Sequence, residues 1–237
     1  MNATTPIARP TLCYLCGKSL SEPTNVDHVP PKQLYVQEIR KKHPLNLLTI
    51  EVHTDCNKSF QHDEDYFVNT LAPFAQGSYA GSALLRDVFT KHAEGKKRGL
   101  VQKVLNEFDH RPSGIIIPPG QVVKRFEGAR VHRVAWKIVR GLYFHETGQV
   151  LPEDTPSSTE VFAPDRPPSA GFSLVLADLD GEGDYPGVFD YKHRVISEAN
   201  NLNYWGMLFW DRVILAVAFH DPACGCDHCV KVRAART

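Results

Sequence analysis

Cys13-Tyr14-Leu15-Cys16, Asp27-His28-Val29-Pro30-Pro31 and His53-Thr54-Asp55-Cys56-Asn57 decide how this chain is read. The first stretch puts two thiols on one tight turn, where both reach the same ion. In the third, His53 and Cys56 are three residues apart, about one helical turn, and share a face. Zinc takes four Cys or His ligands in a tetrahedron, and a closed site of that kind is structural. Cys13, Cys16, His53 and Cys56 are therefore the expected structural zinc ligands, stapling a turn to a helix. A redox pair, or thiols that simply pack in a core, are the competing readings of Cys-x2-Cys.

Residues 26–29 and 47–52 read as short strands, with Pro30, Pro31 and Pro44 marking the loop between them. From 53 to about 71 the apolar spacing of Phe60, Phe67 and Leu71 predicts one helix. Asp27 and His28 are neighbours on the first strand, so a regular strand would send them to opposite faces.

Taken in order, Cys13-x2-Cys16-Gly17, Asp27-His28-Val29-Pro30, Asn46-Leu47 and His53-x2-Cys56-Asn57 resemble the zinc-stapled HNH endonucleases. The resemblance covers about 11–70. It implies a treble-clef-like ββα-metal finger. In that family the histidine of the Asp-His pair is the general base, and the preceding aspartate holds a catalytic divalent ion. Carried over, His28 activates water, Asp27 and Asn57 hold Mg²⁺ or Mn²⁺, and Asn46 orients the loop and the base. His62 and Asp63 could share or replace the role of Asn57. The sequence departs from the family at His53, where cysteine is commoner, and at Asn57, where histidine is. The plainer alternative for Asp27-His28 is a hydrogen-bonded structural pair in a non-catalytic finger.

The rest of the chain is less explicit. Helices are expected at 82–93, 98–108 and 130–147, the last capped by Gly148. Five prolines in 151–170 suggest a linker. Strand-like runs follow at 172–179, 187–196 and 207–219, with a turn near 181–184. The expected class is α+β: a nuclease module at 11–72, a basic helical region at 73–150, the linker, and an antiparallel β region at 171–237 with a Cys-rich tail. In that tail Cys224, Cys226 and Cys229, with His220, form a possible second zinc site or an exposed thiol cluster.

Net charge is zero, but its distribution is uneven: 13 basic and 5 acidic residues in 86–140, against 7 and 14 in 141–237. Arg130, Arg133, Lys137 and Arg140 recur at three- and four-residue steps and share one helical face. That face either contacts nucleic acid or is a solvated surface. Trp136 beside it reads as core. No run of 18 apolar residues occurs and the first ten do not read as a secretion signal, so a cytoplasmic location without membrane partners is expected. The function expected is metal-dependent endonucleolytic hydrolysis of DNA, RNA not being excluded. The alternative is a zinc-stapled module that binds nucleic acid or protein without cutting.

Overall fold

Two strands alternate in burial from residue to residue, and that alternation builds the N-terminal finger. β1 (Thr24–Val29) buries Asp27 and Val29, and β2 (Leu48–His53) buries Ile50 and Val52. They pair antiparallel, with Asp27 opposite Ile50 and His28 opposite Thr49. The computed structural model describes residues 11–42, 47–114, 116–164, 166, 168–183, 187–199 and 201–234. Asn46 lies outside them. Between the strands come a 3₁₀ turn at Lys32–Leu34 and α1 (Gln37–Lys42).

The helix expected over 53–71 is broken in two: α2 (Thr54–Lys58) and α3 (Gln61–Leu71). Phe60 turns into the core at the break. The two helices thus carry their polar residues at different angles. Then follow α4 (Tyr79–Ala93), α5 (Arg98–Asn106) and a two-residue ladder of β3 (Phe108–Asp109) with β4 (Val123–Lys124). The long α6 (Gly128–Thr147) ends as expected at Gly148, whose φ of 70° suits a residue without a side chain.

The C-terminal half contains β5 (Ser157–Phe162), α7 (Ala170–Leu176), β6 (Phe189–Ile196), β7 (Leu202–Phe209), β8 (Val213–His220) and α8 (Asp227–Ala234). The four strands form one antiparallel sheet in the order β5-β8-β7-β6. The class is α+β. Three expectations change. The proline-rich segment 151–170 contributes β5 to the sheet instead of being a linker throughout. The run at 172–179 is mostly helical, started by Ser169, whose hydroxyl accepts a hydrogen bond from the Phe172 amide. The run at 207–219 is two strands, reversed by a turn in which Trp210 and Asp211 take positive φ. Among the described residues no helix is long and apolar enough to cross a membrane.

One buried cluster extends from Cys13 to Phe219, so the finger, α6 and the sheet share a core. Trp136 and Tyr143 of α6 meet Phe219 edge-on, and Phe67 of α3 meets Phe209. The Trp210 indole donates to the Leu34 carbonyl, tying the sheet to the finger. Helix α6 lies against the inner face of β1. A Cβ on Gly141 would stand 2.7 Å from Val29 Cγ2. Val29 is β-branched and buried and cannot swing away. Gly141→Ala should therefore lift the helix off the strand and cost about 1–3 kcal/mol of stability. A denaturant midpoint unchanged from the wild type would contradict this packing.

Candidate functional site

The ligand atoms of Cys13, Cys16, His53 and Cys56 all lie within 4.8 Å of one another. Cys13 and Cys16 sit on a turn closed by backbone bonds from Cys16 and Gly17 to the Cys13 carbonyl. His53 ends β2, and Cys56 is on α2 one turn later. The His53 Nδ1 faces the thiols, 3.3 Å from Cys16 Sγ and 3.9 Å from Cys56 Sγ. Its Nε2 is 3.1 Å from the Ser19 carbonyl, so a metal at Nδ1 leaves an N–H to donate there. Such a second partner fixes the ring of a ligating histidine.

Arg140 completes the surroundings. It is buried, and its guanidinium donates to the carbonyls of Tyr14 and Leu15, inside the Cys-x2-Cys turn, and of Leu151. Three thiolates, a neutral imidazole and Zn²⁺ carry one net negative charge, which this buried cation offsets. The donor set fits zinc.

A second set has the same chemistry. His220 ends β8, and its Nδ1 is 3.5, 3.3 and 3.3 Å from the sulfurs of Cys224, Cys226 and Cys229. All four ligand atoms again fall within 4.8 Å. A backbone hydrogen bond at Cys229 leads in bringing the Cys226 thiol down to about 6. Burial, followed by the neighbouring sulfurs, pushes Cys229 up to about 12. Thiols packed so closely cannot all ionise unless a cation sits among them. Two Cys/His groups that could hold a metal such as zinc are thus present among the described residues, one early and one late in the sequence.

The expected catalytic residues converge on a cleft of about 490 Å³, whose lining includes Asp27, His28, Asn57 and Glu64. Lys32, Arg40 and Lys91 line it as well. His28 is half-buried on the outward side of β1. Burial, then Lys32, lowers its imidazole below the ordinary histidine value, against the pull of Asp27. Asp27, on the inward side, is 4% exposed. The strand does separate the pair, yet both reach the cleft.

What surrounds Asp27 was not expected. Its Oδ2 accepts from the Tyr14 hydroxyl at 2.5 Å and its Oδ1 from Lys137 Nζ at 2.8 Å. Lys137 also donates to Glu64 Oε1 and, at 3.4 Å, to Asn57 Oδ1. Glu64 Oε2 accepts from Gln33, and the Asn57 amide donates to Asn25. All four carboxylate oxygens of Asp27 and Glu64 are engaged by protein donors. An Mg²⁺ or Mn²⁺ between Asp27 and Asn57 does not fit this arrangement, because it would have to sit against an ammonium.

The basic face of α6 is likewise corrected. Its four cations do share a face, but the face is turned onto the finger. Lys137 and Arg140 are each 1% exposed and cannot track a phosphate backbone. Arg130 and Arg133 both bind Asp63 at 2.5 Å, and they lie over the rings of Tyr66 and Phe60. Burial works to raise Asp63, but the two guanidinium groups outweigh it and hold the carboxyl below its usual range. Asp63 is therefore committed to α6 and does not share the role of Asn57. The cleft cations Lys32 and Arg40 were missed; their signal was Lys32 directly after Pro30-Pro31 and the basic end of α1.

Compared with protein-family models, curated proteins and solved structures, the chain matches none. The site must be judged on its own chemistry. Elemental analysis of the purified protein should find two zinc ions per chain, one for each Cys/His group. Cys16→Ser and Cys226→Ser should each lose one, and only Cys16→Ser should unfold the finger. Wild-type zinc near zero would contradict both sites.

Proposed function

We propose that the chain hydrolyses phosphodiester bonds in nucleic acid, DNA foremost, in the manner of a zinc-stapled HNH endonuclease. The reading is carried by one observation: His28, Asp27 and Asn57 of the finger meet Lys32 and Arg40 at a single cleft, whose third cation, Lys91, is held by Asp87. A phosphodiester is an anion, and exposed cations around a half-buried histidine suit it.

In this reaction neutral His28 takes a proton from water. The water oxygen bonds to phosphorus as the ester bond to the sugar oxygen breaks. The leaving oxygen takes a proton from solvent, and His28 later returns its own. Lys32 and Arg40 attract the phosphate and stabilise the charge that builds on its oxygens. Zinc at Cys13, Cys16, His53 and Cys56 would hold the N-terminal turn, β2 and α2 together and take no part in the chemistry. The Mg²⁺ or Mn²⁺ implied by the resemblance takes no part in these steps, since Asp27 and Asn57 are engaged by Lys137. That same engagement favours the second reading, a module that binds nucleic acid or protein without cutting.

Cleavage of supercoiled plasmid by wild type and His28→Ala separates the two. The variant should be slower by about 10² or more, the usual contribution of a positioned base. Activity unchanged in His28→Ala would sink the mechanism, and binding without any cleavage would favour the module. The base works only when neutral, and its surroundings favour the neutral form. The rate should therefore rise with pH through an inflection below 6.5, the ordinary value for histidine. An inflection above that value would contradict the assignment.

A further inference from the structure

Lys137 is a lysine 1% exposed in the middle of a helix. An ammonium taken out of water loses several kcal/mol of hydration, and a well-packed apolar residue usually serves stability as well or better. Its position needs another reason. The three N–H donors reach Asp27 on β1, Asn57 on α2 and Glu64 on α3. Each of those residues lines the cleft, whereas Lys137 is absent from the lining. The ammonium therefore sits just behind the wall of the cleft, bonded to three groups that face into it.

This is the constellation that would otherwise hold a hard cation: carboxylate oxygens and an amide oxygen, converging from three elements of one finger. Two carboxylates beside His28 would repel an incoming phosphodiester. A cation bonded to both removes part of that repulsion and fixes Asp27, Asn57 and Glu64 in position. A divalent ion drawn from solution would do this reversibly; an ammonium on the chain does it permanently. We propose that Lys137 stands in the place of the divalent ion, so that the cleft works with no free divalent cation. The part concerning hydrolysis rests on the phosphodiesterase reading above; the part concerning ion binding does not. Lys137 is a positioning residue here, acting through Asp27, Asn57 and Glu64 without touching the phosphate.

The test uses the zinc-loaded full chain, cleared of other ions on an exchange resin so that no chelator strips the zinc. Binding of Mn²⁺ is followed by loss of the free-ion electron paramagnetic resonance signal. Plasmid cleavage is measured with and without Mg²⁺. The wild type should leave the Mn²⁺ signal unchanged, and Mg²⁺ should alter its cleavage by less than about twofold. Lys137→Met frees the oxygen ligands, so it should take up one Mn²⁺ and cleave only when Mg²⁺ is supplied. Wild type that binds Mn²⁺, with binding lost in Asp27→Asn, would overturn the proposal. So would wild-type cleavage that rises about tenfold or more with Mg²⁺, or a folded Lys137→Met that takes up no Mn²⁺. If Lys137→Met does not fold, the wild-type measurements decide alone. If nothing is cleaved under any condition, the hydrolase reading falls, and the wild-type Mn²⁺ result still decides whether the ammonium holds the ion's place.

Discussion

The buried bonds of Lys137 to Asp27, Glu64 and Asn57 join the finger to the rest of the chain, and most of the architecture is arranged around them. Helix α6 can bring Lys137 there only because Gly141, one turn on, lets the helix touch Val29 of β1. One turn before, Arg133 holds Asp63 and the Ser59 carbonyl of the finger helices. Arg140 donates to the carbonyls of the Cys-x2-Cys turn. The outer face of the same helix packs on the sheet through Trp136 and Tyr143. The finger is thus completed by a helix from elsewhere in the sequence, and its polar interior is shared with that helix.

The two Cys/His groups each join short segments of the chain. One fastens the N-terminal turn to β2 and α2, where only short elements are available to bury apolar surface. The other fastens the end of β8 to the start of α8. Between them the core is continuous, and neither group lies at the cleft. A metal at either group would hold shape. In the proposed reaction the cleft works through His28, the exposed cations around it and the groups ordered by Lys137.

How much of this was legible in the sequence varies with the physics of each element. The Cys and His spacing gave both quartets, because ligands to one ion must recur at short, fixed intervals. The β1 and β2 alternation and the Gly148 cap are local signals and were readable. The short apolar run around Phe172 has no period long enough to separate helix from strand, and the Ser169 cap decides it. Trp210 and Asp211 turn the chain with positive φ although neither is glycine, so two strands read as one. Proline density hid β5, an edge strand of which every second residue from Ser158 to Glu160 is exposed. The basic face of α6 is the instructive case. Periodicity establishes that Arg130, Arg133, Lys137 and Arg140 share a face, and says nothing about what lies opposite. The matching acids, Asp27, Asp63 and Glu64, lie some 70 to 110 residues away in sequence.

Lys137 and Asp27 act as one unit linking α6 to the finger. A double-mutant cycle on Lys137→Met and Asp27→Asn, read by denaturant unfolding, measures that coupling directly. Lys137→Met leaves the Asp27 carboxylate buried without its cation and Asp27→Asn leaves the ammonium with Glu64 as its remaining carboxylate partner, whereas the double variant removes both members of the Lys137–Asp27 pair at once. The double variant should lose less stability than the sum of the singles, by more than about 1 kcal/mol. Losses that add to within about 0.5 kcal/mol would contradict it.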